Sequence, residues 1–407
     1  MLAVAPSRTP RDAVNTALPA PGADELDHSR RLQAAIHAEI ARTGPIPFSR
    51  YMERCLYAPG LGYYSAGRTK FGRDGDFVTA PELGHLFAQC IAEALAPVLR
   101  TLGPDADFVE LGGGSGAFAE VALLALAERD ALPRSYAILE PSADLRERQQ
   151  TRLRTALGAD LAARVRWIDR PPEADWRGVL FANEVIDALP TTRFTLRGGE
   201  VYEEHVALDG QALRIVDRPA DLLVAGAVRH VERDLGRPIE DGYRSELLPQ
   251  LPYWMQAVLG SLRSGVALFV DYGYPRAEFY RPERRDGTLI AHYRHRAHAD
   301  PFFLPGLQDL TAFVDFTALA EAGNSAGFGL AGYAGQARFL IANGLAGHHG
   351  RAAEGADATA LYRLGQQVKR LTLPDEMGER FRAMLFARGI DPAALPPMAD
   401  IDQSGSL

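Results

Sequence analysis

The chain has 407 residues, is 47% hydrophobic and 24% charged, and carries a formal net charge of −8 and two cysteines. That is an ordinary globular composition, long enough for one large α/β domain with additions or for two domains. It excludes a diffuse basic field for nucleic acid and supplies no run near the ~20 apolar residues of a membrane span. Cys55 and Cys90 have no metal-like spacing, so no metal site is expected and a reducing, cytoplasmic setting fits.

Residues 1–27 are rich in Ala and Pro without periodicity and read as a disordered tail. Leu32, Ile36 and Ile40 recur at helical spacing and predict a helix that stops at Gly44-Pro45. The glycine- and aromatic-rich segment 59–81 reads as an ordered loop. Thr79 then serves as N-cap, with Pro81 and Glu82 in the first turn of a helix carrying Leu83, Phe87, Ile91 and Leu95. From 107 the pattern alternates: strand 107–111, helix 116–129, strand 136–140, helix 143–157, strands 163–169 and 178–182. Alternation of this kind builds a parallel sheet with right-handed crossovers. A β-hairpin excursion over 191–218, a helix over 246–263 and a strand over 265–271 follow. Residues 272–310 show little periodicity and read as a long functional loop, and 345–358 as a surface loop. Further elements are expected at 328–334, 336–343 and 360–371, with a last strand near 381–387.

The most informative stretch is Glu110-Leu-Gly-Gly-Gly-Ser-Gly116, a glycine turn between an apolar strand and a helix. Glycines there allow positive φ and let a ligand lie on the backbone, and the helix N-terminus offers unpaired N–H groups. Glu110 would repel a diphosphate and attract the ammonium of an amino-acid-bearing nucleotide such as S-adenosylmethionine, which points to methyl transfer. Gly112-x-Gly114-x-x-Ala117 also satisfies the relaxed dinucleotide pattern, so an NAD-dependent oxidoreductase stands as an alternative, and a plain tight turn as another. Glu140 ends the second strand, where a carboxylate accepts from ribose hydroxyls in either case. Asp169 ends the third, as an acceptor for an adenine amino group or as a turn residue before Pro171-Pro172. The fourth runs into Asn183, Glu184 and Asp187. These residues either cap a helix or put two carboxylates where a methyl acceptor meets the sulfonium. Tyr272 and Tyr274 would line the same mouth. The run from His292 through His295 to His298 matches no metal motif and reads as a basic, aromatic lid.

Taken in order, several segments resemble the MidA family of class I methyltransferases. They are Thr43-Gly-Pro-Ile-Pro-Phe48, Tyr57-Ala-Pro-Gly-Leu-Gly-Tyr-Tyr64, Gly75-Asp-Phe-Val-Thr-Ala-Pro-Glu82, the glycine turn, Asn183-Glu-Val-Ile-Asp-Ala-Leu-Pro190, Val270-Asp-Tyr-Gly273, Gly287-Thr-Leu289 and Asp309-Leu-Thr-Ala-Phe-Val-Asp-Phe316. The resemblance covers about 30–390 and implies an α/β, Rossmann-like, seven-stranded class I methyltransferase sheet ending in an antiparallel strand, with a helical N-terminal extension and inserted lid elements. The implied division is a tail over 1–27, an N-terminal helical region over 28–104, and a methyltransferase domain over 105–390. Insertions fall near 191–245 and 272–310, and a tail over 391–407. The resemblance implies S-adenosyl-L-methionine as cofactor, with Glu110, Gly112, Gly114 and Gly116 on its methionine part and Glu140 on its ribose; the strand-end reading adds Asp169 and Asn183 as cofactor-binding candidates. Glu184 and Asp187 become the catalytic candidates, and Asp76, Thr79, Glu82 and Tyr272 the substrate-binding ones. The family's mitochondrial relative is a respiratory complex I assembly factor that methylates arginine. By resemblance the activity is therefore protein arginine N-methylation, to the symmetric dimethyl product, on a protein partner such as a complex I subunit; the sequence does not give the oligomeric state, and a homodimer is one assembly open to it. The rival readings are a non-catalytic assembly chaperone that keeps the fold, and a small-molecule methyltransferase.

Overall fold

Residues 179–182 and 266–270 are unbroken apolar runs, and both are buried throughout. A strand covered on both faces has no solvent side to alternate with, so such runs belong in the middle of a parallel sheet flanked by helices. The computed structural model describes residues 18–66, 79–398 and 400–407 and puts them there. Among these residues the chain clusters into two units, one of residues 18–66, 188–249 and 277–313, the other of 79–187, 250–276, 314–398 and 400–407.

The second unit is built on strands β1 (Asp107–Leu111), β2 (Tyr136–Leu139), β3 (Val165–Ile168), β4 (Trp176–Asn183), β5 (Leu262–Tyr274), β6 (Gly329–Gly335) and β7 (Phe381–Arg388). Their order across the sheet is β6-β7-β5-β4-β1-β2-β3, with the two-residue strand Val314–Asp315 pairing beside β5 as an eighth member. The run from β3 to β5 is parallel, and β7 is antiparallel to both β5 and β6. Sequence order reverses between β1 and β4, which makes their carboxyl ends the place where an open α/β sheet leaves a ligand crevice. The helix Ala117–Ala127 is apolar on nearly every side and buries Phe118, which stacks on Phe181 of β4 with ring centroids 4.2 Å apart.

The helix His85–Leu102 also belongs to this unit, where Phe87, Ile91 and Leu95 join Phe108 and Phe118 in one core. It therefore does not group with the N-terminal helical region expected over 28–104. The single helix expected from Thr79 onward is broken into Ala80–Leu83 and His85–Leu102 at Gly84, which has φ +147°. A Cβ on Gly84 would lie 2.2 Å from the Gln367 side chain, so the break follows from a contact with a distant helix. Residues 345–353 form a helix rather than a surface loop. The last residues are not a loose tail: Met398 is part of the core, and Asp402 Oδ1 accepts from the Tyr333 N–H at 2.8 Å.

The first unit holds helices Ala23–Thr43 and Phe48–Tyr57, so residues 23–27 are helical and not part of a tail. Residues 192–219 form three strands, Thr192–Arg197, Glu200–Asp209 and Ala212–Pro219, where a hairpin was expected; they lie in a five-stranded antiparallel sheet with Ile46–Pro47 and Arg244–Leu247. Leu32, Ile36, Phe48, Tyr51 and Val206 share its core. The long loop expected over 272–310 contains regular elements: β5 continues to Tyr274, a turn of helix covers Arg276–Phe279, and Ile290–Tyr293, Arg296–His298 and Asp309–Thr311 form a small antiparallel sheet. His292 and His298 sit on neighbouring strands of that sheet, and burial, reinforced by His298, holds the His292 imidazole down at about 4. Among the described residues no helix is long and apolar enough to cross a membrane.

Candidate methyl-donor site

The glycine turn leaves β1 at the switch point. Gly112, Gly114 and Gly116 have φ of +68°, +52° and +83°, a region in which a side chain is strained. Gly116 caps the helix Ala117–Ala127 from the left-handed region and offers no side chain, while the Ala117 N–H donates to Ser115 Oγ at 3.3 Å. Gln149, fully buried on the helix Ala143–Ala156, braces the turn: its Nε2–H donates to Gly114 O at 2.9 Å and to Glu140 Oε2 at 3.3 Å. Its Oε1 accepts from Trp167 Nε1–H at 2.8 Å. Ser115 donates to Glu82, which ties the short helix Ala80–Leu83 to the same turn, and Arg152 donates to Ser115 Oγ at 3.2 Å.

Glu110 is 3% exposed and accepts from Tyr136 Oη–H at 2.8 Å. Burial, with the nearby Glu140 carboxylate adding to it against the Tyr136 hydrogen bond, pushes its carboxyl up to about 8. Among the described residues no arginine or lysine forms an ion pair with it. Glu140 follows β2, is buried, and accepts from Ser142 N–H at 3.0 Å. Asp169 is set apart from this group: its side chain is 87% exposed and pairs with Arg146 at 2.7 Å.

No helix follows β4, so the capping reading of Asn183, Glu184 and Asp187 does not hold. Asn183 Nδ2–H donates to Glu184 Oε1 at 3.0 Å, while Asn183 Oδ1 is buried without a hydrogen-bond partner. Glu184 has φ +53°, a left-handed conformation that costs a glutamate about 1–2 kcal/mol. Asp187 is 5% exposed, and its Oδ2 accepts from Tyr272 Oη–H at 2.6 Å. A Cβ on Gly112 would lie 3.1 Å from Val185 Cγ2, which sets the glycine turn directly against this segment. Thr79 precedes the short helix and is buried without a side-chain capping bond. Asp76 lies outside the described residues.

The donor set fits a ligand with an ammonium and a ribose: an anionic carboxylate or an orphaned amide oxygen takes the former, and Glu140 stands where hydroxyls can be read. Tyr136, Gln149 and Asp271 belong to the same neighbourhood and were not singled out as site residues from the sequence. Asp271 lies within the Val270-Asp-Tyr-Gly273 segment, while Tyr136 and Gln149 act on Glu110 and Gly114, 26 and 35 residues away.

Comparison with known proteins agrees with that chemistry. The profile of the S-adenosyl-L-methionine-dependent methyltransferase family matches residues 90–334. The chain belongs to this family. A protein from Burkholderia thailandensis, crystallised with S-adenosyl-homocysteine, superposes with a TM-score of 0.89 at 43% identity over 96% of this chain and 100% of that one. The mitochondrial protein arginine methyltransferase NDUFAF7 homolog of Drosophila melanogaster is 30% identical over 398 residues, covering 88% of this chain and 85% of that protein. The Homo sapiens protein arginine methyltransferase NDUFAF7 is 27% identical over 311 residues, covering 69% and 66%. The protein is an S-adenosyl-L-methionine-dependent methyltransferase, and S-adenosyl-L-methionine is its cofactor. The dinucleotide alternative at the glycine turn is thereby set aside.

Proposed function

We propose that this methyltransferase modifies an arginine side chain of a partner protein in the cytoplasm. The observation that carries the reading is the pair Glu184 and Asp187, held three residues apart at the end of β4 on a strained, non-helical turn beside the glycine turn. S-adenosyl-L-methionine supplies an electrophilic methyl group on its sulfonium. An arginine nucleophile is protonated at any cellular pH, so its site must hold a planar cation and accept a proton as the new bond forms. Glu184 and Asp187 are assigned those two tasks, and Thr79, Glu82 and Tyr272 are assigned to the acceptor. Glu110, Gly112, Gly114, Gly116, Glu140 and Asn183 are assigned to the donor. Catalysis is then alignment and electrostatic stabilisation, without a covalent enzyme intermediate.

The names of the fly and human relatives support arginine as the acceptor. The family resemblance supports the symmetric dimethyl product and a respiratory complex I subunit as partner. The test is transfer of labelled methyl from S-adenosyl-L-methionine into a protein extract, followed by location of the tagged residue by mass spectrometry. Label on arginine is the expected outcome; label confined to lysine, or to the small-molecule fraction, refutes the reading. Glu184→Gln should bind the donor nearly as well as the parent and transfer no methyl.

A further inference from the structure

Asp271, near the C-terminal end of β5, is 1% exposed and spends both carboxylate oxygens on backbone N–H groups. Oδ2 accepts from Ile186 at 3.0 Å and Asp187 at 3.3 Å, and Oδ1 from Tyr272 at 2.9 Å. The next residue, Tyr272, donates its hydroxyl to Asp187, and the Glu184 N–H donates to Val270 O at 2.9 Å. One short stretch of β5 thus grips the whole 184–187 turn. A grip is needed there: Glu184 occupies a left-handed conformation that an unrestrained glutamate leaves, and Glu184, Asp187 and Asp271 crowd three carboxyl groups together. Burial, then Asp187 and Glu184, hold the Asp271 carboxyl well above its ordinary range, against the N–H groups of Tyr272 and Ile186.

We propose that Asp271 is a positioning residue for methyl transfer, clamping the Glu184–Asp187 turn through the hydrogen bonds that its two carboxylate oxygens accept. The proposal rests on the reading that this turn meets the acceptor. Asp271→Asn keeps one acceptor oxygen and turns an amide N–H2 toward the other backbone N–H, whereas Asp271→Ala removes both acceptors. Tyr272→Phe removes the companion bond to Asp187 and leaves the backbone contacts alone.

The assay is initial-rate transfer of labelled methyl from S-adenosyl-L-methionine into a protein extract, alongside calorimetric affinity for S-adenosyl-homocysteine and the melting temperature. Asp271→Ala should transfer methyl at least about thirtyfold more slowly while binding S-adenosyl-homocysteine within about threefold of the parent, because displaced catalytic groups lose alignment before the donor site fails. Asp271→Asn, which keeps one of the two acceptor oxygens, should fall between the parent and Asp271→Ala, and Tyr272→Phe should fall about tenfold with donor affinity intact. Equal losses in the Asn and Ala variants overturn the acceptance argument. Parallel losses of donor affinity and rate in Asp271→Ala reduce the residue to a fold-stabilising one and also overturn it. Where Asp271→Ala does not fold, a parental rate in Tyr272→Phe overturns the clamp. Glu184→Gln run beside these separates the two layers. A parental rate there refutes the reading of the turn. A dead Glu184→Gln with parental Asp271→Ala and Tyr272→Phe refutes the clamp alone.

Discussion

The Glu110 carboxyl faces a phenol and another carboxylate, and among the described residues no arginine or lysine forms an ion pair with it. With its titration pushed up to about 8, it carries a proton at neutral pH in the ligand-free protein. An ammonium placed against it favours the anion, so ligand binding must expel that proton. About one unit below its midpoint, removing the proton costs ~1.4 kcal/mol, and each further unit costs the same again. The affinity for S-adenosyl-homocysteine, which carries the ammonium, should therefore climb by about tenfold from about pH 6 to about pH 7, and level off above about pH 8. Calorimetry in buffers of different ionisation enthalpy should find close to one proton released per ligand at about pH 6.5. Glu110→Gln should bind more weakly at high pH, with a flat profile and no proton release. For 5′-methylthioadenosine, which lacks the amino-acid portion, the parent protein should also give a flat profile. A pH-independent affinity for S-adenosyl-homocysteine in the parent, or an unchanged slope in Glu110→Gln, would show that Glu110 does not meet the ammonium.

Other consequences can be checked more simply. Gly114→Val places a branched side chain at φ +52° in the donor turn and should weaken S-adenosyl-homocysteine binding by at least about a hundredfold in calorimetry, given the strain and lost space. Gln149→Leu strips hydrogen bonds from Gly114, Glu140 and Trp167 at a fully buried position; urea unfolding should register a loss of about 2–4 kcal/mol. Arg276 is 2% exposed and bonds Asp315 at 3.1 Å and Glu321 at 2.6 and 2.9 Å. Arg276→Met leaves Asp315 buried without its counter-charge and should cost about 3–5 kcal/mol in the same measurement.

How much of this protein the sequence determined depends on how far each cause reaches along the chain. The glycine turn, the strand-to-helix alternation from 107 onward and the apolar runs of β4 and β5 were legible because period, positive φ and burial on both faces are written in adjacent residues. So was the grouping of Glu110, Glu140 and the 183–187 segment, since all lie at or just past the carboxyl ends of strands in one parallel sheet. Tertiary contact decided the rest. Gly84 interrupts an otherwise continuous helical pattern because Gln367 occupies the space beside it. The capping reading of Asn183 gave way because Asp271 and Val270, some 85 residues later, satisfy the N–H groups that a helix would have used. Residues 290–311 looked aperiodic because their three strands are short, and a strand of three or four residues pairs through its backbone before it shows a side-chain rhythm. Local chemistry wrote the donor turn into the sequence, whereas the shape of the turn carrying Glu184 and Asp187 exists only once β5 is laid alongside it.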